Sequence, residues 1–132
     1  MAPKESLEQS IELFREALGI DPHSDIANLA IAFAFRKKRD FKPAVNYAKM
    51  IVDNSKDDNA IFIAKRLLGF LYIQAQKPQE AVKIFEELLN YTKSREMHDE
   101  LSVILYDLGF ASISAEMTSQ AYDYWNQLYK YD

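Results

Sequence analysis

The chain is expected to be all-α, a solenoid of antiparallel helix pairs with about seven helices, and three observations in its 132 residues point there. Only three glycines and four prolines are present, too little material for the tight turns of a hairpin-rich β fold. Gly69 and Gly109 sit inside strongly apolar helical sequence, KRLLGFLYI and LYDLGFASI. A glycine there costs about 1 kcal/mol against alanine, a cost that close approach of a second helix explains. Twelve residues after each glycine stands an alanine that opens another helix, Ala81 and Ala121, and Ala32 and Ala44 share the same offset.

More positions keep this register. Three residues after the small residue stand Phe35, Tyr72 and Ser112; four after the second-helix alanine stand Ala48, Phe85 and Trp125, and three further on Ile51, Leu88 and Leu128. The N-terminal segment carries the second half of the pattern alone, through Ser10, Phe14 and Ala17, closed by Asp21-Pro22. The second helices therefore recur at Ser10, Ala44, Ala81 and Ala121, at intervals of 34, 37 and 40 residues. A period of this length is the mark of a helical repeat array, and it separates the chain from a simple bundle whose apolar periodicity alone would look similar.

Local signals place each helix in turn. A helix over about 5–18 opens at Ser6-x-x-Gln9, read as a capping box, and stops at Gly19 before Asp21-Pro22. The next, about 24–38, ends in the cationic run Arg36-Lys37-Lys38-Arg39, which suits the negative end of the helix dipole. Pro43 is tolerable in the first turn of a helix over 41–54. Asp58 is expected to cap a helix over 59–75, and Pro78 suits the first turn of one over 78–92. The register then gives helices over 98–115 and 118–130, with the longer intervals absorbed as extended second helices or loops near 54–58 and 92–98.

In this pattern the chain resembles the tetratricopeptide repeat (TPR) family, whose unit is two antiparallel helices with small residues at their crossing. LLGFLYIQAQKPQEAVKIFEELL carries Leu68-Gly69, Tyr72, Ala81 and Phe85 together, and SIELFREALGIDP matches a second-helix half-repeat through its closing Asp-Pro. The resemblance covers about Leu7 to Asp132 and implies one domain over 1–132 with a right-handed twist: a leading helix at 5–22, then repeats at 24–58, 59–95 and 98–132. The intervals of 37 and 40 exceed the family's usual 34, and Ser112 stands where an aromatic is expected.

Composition narrows the function. With 48% hydrophobic and 27% charged residues the chain is that of a globular protein, and with no cysteine it has neither disulfides nor a thiolate metal site, which fits a reducing, cytoplasmic setting. The longest uncharged run, Ile26 to Phe35, is ten residues, short of a membrane span, and MAPKESLEQS lacks a signal-peptide core. A net charge of −4 offers no field for a phosphate backbone, so neither nucleic acid nor membrane insertion is expected. His23 and His98 lack ligand partners at metal-binding spacing, and Asp57-Asp58, Glu86-Glu87 and Glu96 with Asp99-Glu100 read as solvated charge. No phosphate loop or nucleophile motif occurs. The expectation is no enzyme, no cofactor and no metal. Helix-terminal charge explains the Arg36–Arg39 run with less than an import or phosphate-binding patch needs.

The resemblance implies an inner face lined by first helices, and hence a peptide-binding groove. Residues directly after the small positions are all phenylalanine: Phe33, Phe70 and Phe110. The same stripe holds Leu29 and Arg36 beside Phe33, Arg66 and Ile73 beside Phe70, and Tyr106 and Ile113 beside Phe110, with Ile26, Ile63 and Val103 one turn back. The alternative is that these side chains fill space between helices. Family members that clamp acidic chaperone tails line this groove with lysine, asparagine and arginine, and here Arg66 is the sole basic match, so such a clamp is not expected. The ligand expected is an amphipathic helix or extended peptide of another protein, with hydrophobic anchors and some acidic character. The last helix carries Tyr122, Tyr124, Trp125, Tyr129 and Tyr131, of which Tyr122, Trp125 and Tyr129 form a second candidate interface. That end suits homo-oligomerisation, or continuation in a longer repeat protein. The expected role is a scaffold or adaptor, with a self-assembling subunit or a chaperone for an apolar client as alternatives.

Overall fold

Helix-forming sequence interrupted only by three- and four-residue links leaves consecutive helices no choice but to pack antiparallel. In the computed structural model, which describes residues 4–130, that is the arrangement within each of two compact units. Seven helices make up the described residues: α1 (Lys4–Ile20), α2 (Asp25–Lys37), α3 (Phe41–Asn54), α4 (Asp58–Gln74), α5 (Pro78–Ser94), α6 (His98–Ser114) and α7 (Thr118–Tyr129). Each boundary falls within two residues of the sequence expectation; the extra length of the middle interval is taken up by α4, 17 residues against 13 in α2, and that of the last by α5, 17 against 14 in α3. Tyr131 and the expected end of the last repeat at Asp132 lie outside the described residues.

The helices form two compact units, one reaching to Leu71 and one beginning at Tyr72, with α4 contributing to both. In the first unit α2 packs on α1 and α3. Ala32, Ala44 and Ala48 are fully buried at the α2–α3 crossing, where methyl groups let the backbones approach, and Ile31 and Ile51 fill the space beside them. Burying an isoleucine contributes roughly 1.5–3 kcal/mol. Phe35, also buried, stacks on Tyr47 with ring centroids 5.8 Å apart. Polar side chains manage the links here. Ser24 Oγ accepts from Ala27 N–H at the start of α2, buried Asn28 donates to the carbonyls of Pro22 and Ser24, and Ser55 Oγ donates to Asp25 at 2.7 Å.

The second unit joins its helices differently. α6 packs on both α5 and α7 around buried Phe85, Leu88, Ile104, Leu105 and Leu108, with Ala81 and Ala121 fully buried. The entries to α5, α6 and α7, at Lys77, Met97 and Met117, have no side-chain cap. Each preceding helix instead closes on a left-handed residue: Gln76, Glu96 and Glu116 have φ of 62°, 54° and 61°. The following amide donates back to Tyr72, Thr92 and Ser112 O respectively, at 2.7, 3.0 and 2.7 Å. Arg39, φ 60°, makes the same turn between α2 and α3, with Asp40 N–H donating to Phe35 O at 2.9 Å. These are Schellman turns without glycine.

Three local expectations need correction. Ser6 lies inside α1, which is already helical at Lys4, so it is not an N-cap; Ser10 Oγ donates to its carbonyl. Gly19 does not stop a helix through a left-handed conformation, because no glycine has positive φ and α1 runs on to Ile20. Asp58 is the first residue of α4, and the cap is Asp57, whose Oδ1 accepts from Asn59 N–H at 2.9 Å.

Candidate functional site: the outward faces of α2, α4 and α6

An amphipathic helix normally turns one apolar stripe inward and a polar face to water. α6 departs from this. Its inward residues are Leu101, Ile104, Leu105, Leu108 and Ala111, all buried, yet Val103, Tyr106, Phe110 and Ile113 are exposed. Spacings of three, four and three residues place those four within an arc of about 80° at 3.6 residues per turn, opposite the buried stripe. α6 is apolar on two sides, and packing accounts for one of them.

The α6–α7 crossing adds to this surface. A Cβ at Gly109 would run into the indole of Trp125, which fixes glycine at that position. The half-buried indole lies along α6, its Nε1 donating to Tyr106 O at 3.4 Å. Tyr122 meets it edge-on, ring centroids 6.4 Å apart and planes at 84°. Tyr106 of the expected groove and Trp125 and Tyr122 of the separately expected C-terminal interface thus adjoin, which spacing along the chain did not reveal. Tyr129 stands apart at 79% exposed.

In the first unit, Ile26, Phe33 and Ile63 are exposed, while Leu29, Arg36, Arg66 and Phe70 are half-buried. Phe70 is bracketed by two guanidinium groups, Arg36 at 5.8 Å and Arg66 at 5.3 Å from its centroid. Two more members of the cationic run, Lys38 and Arg39, are likewise engaged with rings. Lys38 and Arg15 lie over Phe35 at 5.7 and 5.8 Å, Lys38 also pairs with Glu8 at 3.7 Å, and Arg39 lies over Phe41 at 5.3 Å. This supports the structural reading of the run. Ile73, which follows the unit boundary, is half-buried.

The aromatics on α6 and α7 have no such cover: among the described residues no lysine or arginine lies over Tyr106, Phe110, Tyr122, Trp125 or Tyr129. Burial raises the Tyr124 phenol above its ordinary pKa, and Glu86 and Asp123 raise it further. His23 and His98 are exposed, no cluster of three metal-binding side chains occurs among the described residues, and no helix is long and apolar enough to cross a membrane.

No family model and no curated protein matches this sequence. Among solved structures it is similar to a Podosopora anserina protein described as a kinesin light chain with nearly identical TPR-like repeats, in two crystal structures, one of them carrying a glutamine-to-methionine substitution. Each aligns at a TM-score of 0.79 with 16% identity, over 95% of this chain and 66% of the other. With the helix order and the small-residue crossings above, that likeness establishes the architecture: the chain has the TPR-like fold.

Proposed function

We propose that this protein is a non-catalytic interaction module, a scaffold or adaptor that binds a hydrophobic or amphipathic segment of another polypeptide on the outward faces of its first helices. The observation that carries the reading is the second apolar stripe of α6, Val103, Tyr106, Phe110 and Ile113, which no helix of its own unit covers. Contiguous exposed apolar surface of this kind marks interaction sites, and spacings of three and four residues suit the grip on a helix. Exposed Ile26, Phe33 and Ile63 offer a similar face in the first unit. TPR-like folds are general platforms for protein–protein contact, which agrees with this reading.

The test is photo-crosslinking in cells from a reactive residue placed at Phe110, compared with one at Glu87 on the exposed side of α5. A discrete crosslinked partner from position 110 and none from position 87 is expected. Equal labelling from both positions would overturn the assignment. Self-association through α7 is the second reading, favoured by exposed Tyr122 and Tyr129. Light scattering of the wild type against Tyr122→Ser with Tyr129→Ser tests it, since neither tyrosine is buried; a strictly monomeric wild type at high concentration removes it.

A further inference from the structure

The two units share one device, a cation laid over a ring, and in the second unit Arg95 lies over Tyr91 at 4.4 Å. In the first, the rings of Phe35, Phe41 and Phe70 each carry at least one cation from the chain itself. On α6 and α7 the exposed rings carry none. The sequence of α6 and α7 is acidic, although Lys93 of α5 reaches Gln127 on α7 at 3.4 Å. Between His98 and Lys130 the only lysine or arginine is Lys130, against Asp99, Glu100, Asp107, Glu116 and Asp123. Asp99 lies on the turn of α6 preceding Val103, on the same stripe, while Asp123 is exposed on α7 about 160° round the helix from Trp125 and adds only to the general charge of this end. Tyrosine and tryptophan faces attract ammonium and guanidinium groups, and carboxylates at the margin of the rings strengthen that attraction.

We propose that the α6–α7 surface built on Tyr106, Phe110, Trp125 and Tyr122 docks a basic amphipathic helix of a partner protein, its apolar residues on the α6 stripe and its lysine or arginine side chains on the aromatic rings and the Asp99 carboxylate. Both halves of the surface ask for this occupant. The stripe of Val103, Tyr106, Phe110 and Ile113 spans ten residues, about 15 Å at 1.5 Å per residue, the length of roughly three helical turns. An acidic helix would meet like charge at Asp99 and in the general charge of this end; a neutral one would leave the rings unused. The inference rests on the proposed function and replaces the expectation of an acidic ligand, for this surface, with its opposite.

The experiment uses two synthetic 18-residue amphipathic peptides with the same leucine stripe, one flanked by lysines and one by glutamates, titrated against the full chain. Trp125, the single tryptophan, reports through its fluorescence, and anisotropy of labelled peptide gives affinity. At 50 mM salt the lysine peptide is expected to bind at least tenfold tighter than the glutamate peptide, with the advantage shrinking severalfold at 500 mM salt. Asp99→Asn is expected to remove most of the preference, and Phe110→Glu to abolish apolar docking while circular dichroism stays helical. Tyr122→Leu, which keeps apolar area and deletes the π-face, is expected to lower the preference about threefold. Equal affinity of the two peptides, both lost with Phe110→Glu, would overturn the basic-helix assignment and leave the docking face standing. No binding of either peptide would overturn docking on α6 itself.

Discussion

The α2–α3 and α6–α7 hairpins are built on one register and fill it in opposite ways. In α2–α3 the large aromatic comes from the first helix: Phe35 is buried and stacks on Tyr47, while α3 presents Ala48 at the crossing. In α6–α7 Ser112 takes the place of Phe35 in the register and Trp125 the place of Ala48. The bulk has moved from the first helix to the second, and the opposite residue has shrunk with it, from Ala32 to Gly109, whose missing Cβ leaves room for the indole. The sequence pairs Gly69 with Phe85 at the same separation of sixteen residues. At Gly109 a glycine inside a helix is thus tied to an aromatic on the next helix, and alanine suffices at position 32, where the partner is alanine. The exchange has a functional side. Phe35 serves the interior, whereas Trp125 is half-buried and extends the exposed aromatic face of α6.

The largest test of that difference is Trp125→Ala. Losing a large aromatic side chain costs about 3–5 kcal/mol when fully buried. Half exposure reduces the expectation to about 3 kcal/mol, a fall in Tm of roughly 10 °C by thermal melting. Next comes Gly109→Ala, which forces the indole away and is expected to cost about 2 kcal/mol. In the Trp125→Ala background, which imitates α2–α3, the sign inverts: the same Gly109→Ala is expected to stabilise by about 1 kcal/mol through helix propensity. A cost that persists in both backgrounds would break the link between the two positions.

A smaller effect sharpens the same contrast at Ser112. Its hydroxyl is fully buried without a hydrogen-bond partner, a group whose removal relieves desolvation. Ser112→Ala is expected to stabilise by about 1 kcal/mol in denaturant unfolding, where most buried serines would lose stability on truncation. Smallest are the turns. Gln76→Gly and Glu116→Gly place the residue suited to φ near 60° and are expected to add about 0.5 kcal/mol each. The same substitution at exposed Asn46, inside α3, is expected to cost about 0.5–1 kcal/mol.

The fold was legible because its determinants are small residues at fixed offsets, which occur at the crossings of both hairpins. Helix boundaries followed from prolines, cationic ends and apolar periodicity. The turns were not legible in mechanism. A Schellman turn announces itself by glycine, and here Arg39, Gln76, Glu96 and Glu116 adopt the left-handed conformation without it. Caps were misplaced by one residue at Asp57 because adjacent aspartates are equivalent as symbols and differ only in backbone geometry. For the candidate site, period 3.6 gave the outward stripe of α6, since a helix apolar on two opposite faces is visible from spacing alone. The meeting of Trp125 and Tyr106 was hidden because it depends on how far an indole reaches across a helix crossing. The cations over Phe35 were hidden for the same reason, since Arg15 reaches that ring from another helix, whereas Arg66 beside Phe70 follows from a spacing of four.

Whether the α6 stripe serves binding or folding is decided by making it polar. The variant with glutamine at Val103, Tyr106, Phe110 and Ile113 keeps helix propensity and removes the exposed apolar face. A docking surface predicts cooperative melting with Tm within about 3 °C of wild type and complete loss of lysine-peptide binding. A collapse of the melting transition, or binding that survives the four substitutions, would contradict it.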